Sequence, residues 1–251
     1  MDWLRPEEWD ALRLSLIVSA TATLASLVPG LGVALLLARG RFPGKWLLDT
    51  IVHLPLILPP VVTGYLLLVW FGRRGPVGGF LAEHFGIVLS FRWTGAVLAC
   101  AVMGFPLLVR ALRLSIEAVD RKLEEAAGTL GAPPAAVFVL VTLPLILPGL
   151  IAGAILCFAK AMGEFGATIT FVSNIPGETQ TLPSAIYTFT QVPGGDAGAL
   201  QLHHRAHHVE RVAVAVVGVG DHRQTGDATD AGGLLGKFAQ GDQREVRRRQ
   251  N

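Results

Sequence analysis

Charge is what this sequence has least of. Only 16% of its 251 residues are Asp, Glu, Lys or Arg, against about a quarter in ordinary soluble domains. The two signs nearly cancel, with 21 Lys plus Arg against 19 Asp plus Glu and a net charge of +2. Nucleic-acid binding driven by bulk positive charge is therefore excluded. Cysteine is also scarce. Cys100 and Cys157 both sit inside apolar stretches, which excludes a disulfide scaffold and leaves no cysteine metal motif. No Gly-Lys-Ser/Thr phosphate-binding loop is present, so the chain lacks that means of holding a nucleotide.

What fills the space is apolar. Hydrophobic residues make up 51% of the chain and the mean hydropathy is +0.51, which excludes a disordered polymer. The apolar residues come in blocks that no charge interrupts. Arg13 to Arg39 encloses 25 uncharged residues, Asp49 to Arg73 encloses 23, Arg92 to Arg110 encloses 17, and Glu125 to Lys160 encloses 34. A bilayer core about 30 Å thick needs about 20 residues of helix. The first two blocks fit one crossing each and the third is just long enough. The fourth is broken by Ala132-Pro133-Pro134, because proline lacks a backbone donor and disfavours helix in the residue before it. Its crossing is expected from near Ala136 to Lys160. The fold class is all-α, a polytopic membrane helix bundle with four clear spans.

The first block is too long for a cleaved signal peptide and is preceded by Asp2, Glu7, Glu8 and Asp10, so it is expected to be a retained helix. Loop charge barely orients the bundle. With the N-terminus outside, Arg39, Arg41, Lys45, Arg110, Arg113, Arg121 and Lys122 face the cytoplasm, against Arg5, Arg13, Arg73, Arg74, Arg92 and Lys160 outside. The blocks carry many breakers, as in Val28-Pro29-Gly30, Leu54 to Pro60 and Leu143 to Gly149. Such breaks serve kinked packing between helices or line a translocation path, and both readings stand. His53 is the one titratable side chain other than Tyr and Cys inside the four blocks. Proton and ion relays accept the cost of a charge at mid-membrane, so the lack of one argues against proton-coupled transport.

Between the third and fourth blocks, Leu123, Ala126, Ala127 and Leu130 recur at i, i+3, i+4 and i+7, one face of a short helix. Glu124 and Glu125 sit in its early turns, where the helix dipole favours acid. Gly131 is placed to cap its C-terminus and Pro133 to stop it. The face is shallow, and its two alanines let another protein approach closely. Helices that lie on lipid favour Trp, Phe and Leu instead.

Glu125-Ala126-Ala127, three residues, Gly131, nine residues, Val141, one residue and Leu143-Pro144 resembles the loop shared by permease subunits of binding-protein-dependent ABC importers. That pattern usually has Ile where this chain has Val141. Gly163-Glu164-Phe165-Gly166-Ala167-Thr168-Ile169-Thr170-Phe171 and the stretch after it to Thr179, with Phe42 to Lys45, His53 to Leu56, Pro59 to Val62, Gly64 to Leu68 and Gly72 to Gly75, is similar to the molybdate group of that family. Tungstate and sulfate permeases are related. The resemblance covers about residues 5–199.

The resemblance implies an inner-membrane subunit that is not itself an enzyme, with a periplasmic N-terminus, no catalytic residue, no cofactor and no resident metal. Two copies would form a homodimeric pore within membrane lipid. ABC ATPase subunits would dock on a cytoplasmic coupling loop spanning about residues 114–135, and a periplasmic molybdate-binding protein would deliver the anion. Glu125, Ala126, Ala127, Leu130, Gly131, Leu143 and Pro144 would couple to the ATPase. Hydroxyls suit a dianion that must not be trapped, so Thr63, Thr168, Thr170 and Ser173 are candidates for the path, with packing hydroxyls as the plainer reading. Glu164 would repel the anion and is expected to be structural, capping the next segment or pairing with Lys160. Arg73 and Arg74 either guide anions, dock the delivery protein or lie in a solvated loop. A secondary transporter or channel and a non-transporting scaffold are the rival classes. The twenty-residue loop pattern and the lack of membrane carboxylates argue against both.

The domain is expected to end near residue 199. Beyond it lie five of the seven histidines, and the one apolar run, Val212 to Gly220, has nine residues, too few for a crossing. His203, His204, His207 and His208 have chelate spacing. A shifted reading frame over residues 200–251 explains the segment better, because it would also account for the missing fifth span that the resemblance implies.

Overall fold

The computed structural model describes residues 6–191. Within them the chain forms ten helices and one π-helical segment, and no strand. In chain order these are α1 Pro6–Arg39, α2 Lys45–Ile57, α3 Pro60–Phe71, α4 Pro76–Phe85, α5 Trp93–Ala118, α6 Arg121–Thr129, α7 Pro134–Val137, the π segment Phe138–Thr142, α8 Leu143–Met162, α9 Gly166–Val172 and α10 Leu182–Thr190. The all-helical class is as expected. The tail, its histidines and the missing fifth span lie outside the described residues.

Three stretches are long and apolar enough to cross a bilayer as single rods: Trp9–Arg39, Trp93–Ala118 and Pro134–Met162. The second expected crossing is different. It is two helices, Lys45–Ile57 and Pro60–Phe71, bent by 116°. Proline at 59 forces Leu58 into extended backbone at ψ 144, and Pro60 then opens α3 at its first turn, where a missing N–H costs nothing. Charge spacing also misplaced the third span. It runs to Ala118 rather than Arg110, because Arg110, Arg113 and Glu117 continue the helix past the apolar block. The fourth starts at Pro134 and passes through a π turn before α8.

Contacts fix the topology. Arg39, at the end of α1, donates to Glu124 of α6 across 3.1 Å, so α1 and α5 both end at one side of the bundle. Thr142, at the foot of α8, donates to the same Glu124 at 2.7 Å, so α8 leaves from that side. Asp49 of α2 accepts from Arg113 of α5 at 3.2 Å, which keeps α2 there too. By contrast α3 packs on α9, which follows the far end of α8. The bent α2–α3 pair therefore leads from the α6 side toward the far side, and counted as one broken span it brings the candidate crossings among the described residues to four.

The rods α1, α5 and α8 pack on one another. Near the α6 side their core holds Leu37, Leu108, Leu112, Ile116 and Ile146. Toward the far side it holds Val18, Ala22, Ala99, Met103 and Phe171. Small residues bring the backbones together, as in a membrane where burial of apolar area alone does not drive helix association. A Cβ added at Gly104 would stand 2.7 Å from Cys157 Sγ. Large apolar side chains such as Leu24, Val28, Ile57 and Leu140 point away from the core, a pattern suited to apolar surroundings rather than water.

Candidate functional site

The loop between α5 and α8 is built to hold one short helix away from the bundle. Asp120 opens α6 by accepting the Lys122 N–H at 3.0 Å, which satisfies one of the free donors of the first turn. Gly131 ends the turn with φ +86; its N–H reaches the Gly128 carbonyl at 3.0 Å, and Ala132 N–H reaches Ala127 at 3.3 Å. Pro133 and Pro134 then redirect the chain. The expected helix and its glycine cap are both present. Asp120 was not anticipated, although an Asp just before a helical run is a local start signal.

The four residues of the anticipated face are not covered by the other described residues. Leu123 is 50% exposed and Leu130 is 89% exposed; Ala126 is exposed and Ala127 half-buried. Glu125 and Gly131 are exposed beside them. Leu143 lies at the foot of α8, where it packs against the α1–α5 core, and Pro144 occupies its first turn. The opposite face of α6 carries Arg121, Glu124 and Gly128, which line a cleft of about 480 Å³ with Leu35, Phe138 and Thr142. Glu124 lies outside the expected set. Its two partners, 85 and 18 residues away, leave no local signature.

The hydroxyl candidates divide. Thr168 Oγ1 donates to Phe165 O at 2.9 Å and Thr170 Oγ1 to Gly166 O at 2.8 Å, so both protons are committed to their own helix. Thr63 is 5% exposed and its hydroxyl has no partner among the described residues. It sits one residue from Gly64, where α3 meets Ala167 and Thr170 of α9. Ser173 is exposed just past α9 with φ 68 and ψ −162, a backbone region nearly reserved for glycine. The structure thus sets Gly64, next to Thr63, against Thr170 of α9, keeps Thr168 buried on α9, and leaves Ser173 exposed just past that helix.

Glu164 is 2% exposed. One oxygen pairs with Lys160 Nζ at 2.8 Å and the other accepts the Ala167 N–H at 2.9 Å. Both structural roles anticipated for it are realised together. Arg73 and Arg74 follow α3 and line a cavity of about 770 Å³ with Arg92, Ser90 and Phe91. The intervening α4 had no counterpart in the sequence reading; Gly75 and Gly78 let it fold tightly back on the end of α3.

The described residues thus form a polytopic helical bundle with one short helix held off one end. The family model described as "binding-protein-dependent transport system inner membrane component" matches residues 30–200, and the chain belongs to that family. It is 62% identical over 199 residues to the molybdenum transport system permease protein ModB of Escherichia coli K12, covering 79% of this chain and 87% of that one. It is 39% identical over 236 residues to the protein of the same name from Mycobacterium tuberculosis, covering 91% and 88%. In fold it matches a crystal structure of a bacterial ABC transporter for alginate import, with a TM-score of 0.66 at 16% identity, over 90% of this chain and 82% of that one. The chain is thus a transport subunit of the inner membrane rather than an enzyme, and its family works with a binding protein and a separate ATPase.

Proposed function

We propose that this chain is the pore-forming subunit of an ATP-driven importer for molybdate. The observation that carries the reading is the uncovered apolar face of α6, held at one end of the bundle by caps at both ends of the helix. The 62% identity to a molybdenum permease over most of both chains supports the substrate. Leu123, Ala126, Ala127 and Leu130 form the surface on which an ATPase subunit docks, with Glu125 and Gly131 at its edge. Leu143 and Pro144 carry the motion into α8. If the α6 side is cytoplasmic, α1 starts in the periplasm, where a binding protein delivers the anion. The outward apolar side chains then face lipid and a second copy of the chain. Among the path candidates Thr63 is favoured, because its hydroxyl is the buried one of the four with no partner among the described residues.

Reconstitution into vesicles with the ATPase and binding protein tests this. ATP-dependent molybdate uptake, resisted by excess sulfate, is the expected result. Uptake without ATP, or equal uptake of sulfate, would overturn it. Residues 200–251 are proposed to be a shifted-frame tail that impairs uptake, and restoring the frame near codon 200 is expected to raise it. A shifted frame without an apolar run rules that out.

A further inference from the structure

Three segments distant in sequence meet at one carboxylate oxygen. Glu124 Oε1 accepts from Arg39 Nη2 at 3.1 Å and from Thr142 Oγ1 at 2.7 Å. Arg39 is the last residue of α1, and Thr142 is the last residue of the π segment that feeds α8. The side chains of the Arg39–Glu124 pair are only 23% and 25% exposed, so the contact is part-shielded from solvent, where an ion pair keeps more of its strength than at an open surface.

The placement on α6 matters. Glu124 stands on the side opposite the Leu123–Ala126–Leu130 face, and beside it lies the cleft of about 480 Å³. The backbone joins α6 to α5 through Val119 and Asp120, and to α7 through Leu130 to Pro133. No backbone joins it directly to α1. Glu124 spans that gap. The π segment is a rare, wide helical geometry that recurs at functional sites, and here its closing residue is tied to the same oxygen.

We propose that Glu124 is a positioning residue that makes α1 and α8 move with α6. A displacement of α6 reaches α1 through Arg39 and α8 through Thr142, instead of being absorbed by the cleft and by the turn at Gly131. This rests on the reading that α6 docks the ATPase, but the tether itself is internal to the chain and can be measured separately.

The test uses the full chain in lipid nanodiscs, alone and with the ATPase, carrying spin labels at Leu36→Cys on α1 and Thr129→Cys on α6. Cys100 and Cys157 are buried and escape labelling. The parent should give one narrow distance distribution that keeps its width when ATP is added. Glu124→Ala should broaden it, and ATP should then shift the α6–α1 distance. Glu124→Gln, which keeps the size and an acceptor, should broaden it less and guards against misfolding. The exchange Arg39→Glu with Glu124→Arg should narrow it again, which a general loss of structure would not do. With the α1 label replaced by one at Leu147→Cys, Thr142→Val should loosen α8 and Thr142→Ser should not. A Glu124→Ala distribution as narrow as the parent's, or a charge exchange that fails to restore it, overturns the proposal. A label at Leu130→Cys that stays mobile when the ATPase is added defeats the docking reading instead, and leaves the tether measurement standing.

Discussion

Gly64 and Ala167 touch through their backbones: a Cβ added at Gly64 would stand 2.6 Å from the Ala167 carbonyl oxygen and 2.9 Å from its Cα. The contact locks α3, beyond the 116° bend, against α9. Gly64→Ala must therefore push the two helices apart, a change that costs about 1–3 kcal/mol. Gly32→Ala on α1 meets nothing within 4 Å and should leave the unfolding temperature at or above the parent's. Thermal unfolding in detergent separates the two, and equal behaviour would contradict the α3–α9 contact.

Lys160 and Glu164 give a second test. Glu164 keeps a buried carboxylate through one ion pair and one backbone donor. Lys160→Met removes the ion pair and strands the charge, for a loss of about 2 kcal/mol, since the lysine is partly exposed. Glu164→Gln keeps an acceptor for the Ala167 N–H and should lose about half as much. Chemical denaturation of the two variants is expected to rank them in that order.

Thr63 separates stability from transport. An unpaired hydroxyl buried in the protein costs roughly 1–2 kcal/mol, and Val has nearly the same shape. Thr63→Val should thus raise the unfolding temperature. If the hydroxyl serves the anion, the same variant lowers molybdate uptake. A variant that is more stable and transports at the parental rate removes Thr63 from the path.

At Ser173 the strain is in the backbone. With φ 68 and ψ −162, Ser173→Gly should stabilise the chain by about 1 kcal/mol, and Ser173→Val should destabilise it by more. Proteolysis rates of the α9–α10 loop report both. A destabilised glycine variant would mean that the serine side chain contributes more than its backbone costs.

Leu130 tests the docking face. It is 89% exposed, so Leu130→Asp should change stability by less than about 0.5 kcal/mol. It should nevertheless abolish co-purification of the ATPase, because a charge would be buried at the interface. Retained co-purification would place the docking surface elsewhere.

Much of this was legible in the chain. The periodic Leu123, Ala126, Ala127 and Leu130 located α6 to within two residues, since capping and helical period are local properties. The i, i+4 spacing of Lys160 and Glu164 announced their pairing for the same reason. Charge-free gaps counted the crossings but mislaid the end of the third, because a helix that has begun in the membrane continues past its first arginine when the next turns remain helical. The missed α4 shows a similar limit. Its glycines matter for how closely it folds back on α3, which no pattern within the segment encodes.

Composition and spacing, by themselves, determined that this is a polytopic helical membrane protein with one short helix offered outward. Those properties follow from what each segment needs locally: apolar length for the bilayer, period for a face, caps for a short helix. Pro59 and Pro60 already mark the break in the second crossing locally. Only the tertiary structure decided that Thr63 finds no partner among the described residues, and that Arg39, Glu124 and Thr142 converge on one oxygen. The convergence depends on packing, which alone brings Arg39 and Thr142, 103 positions apart in the chain, within hydrogen-bond reach of a common partner.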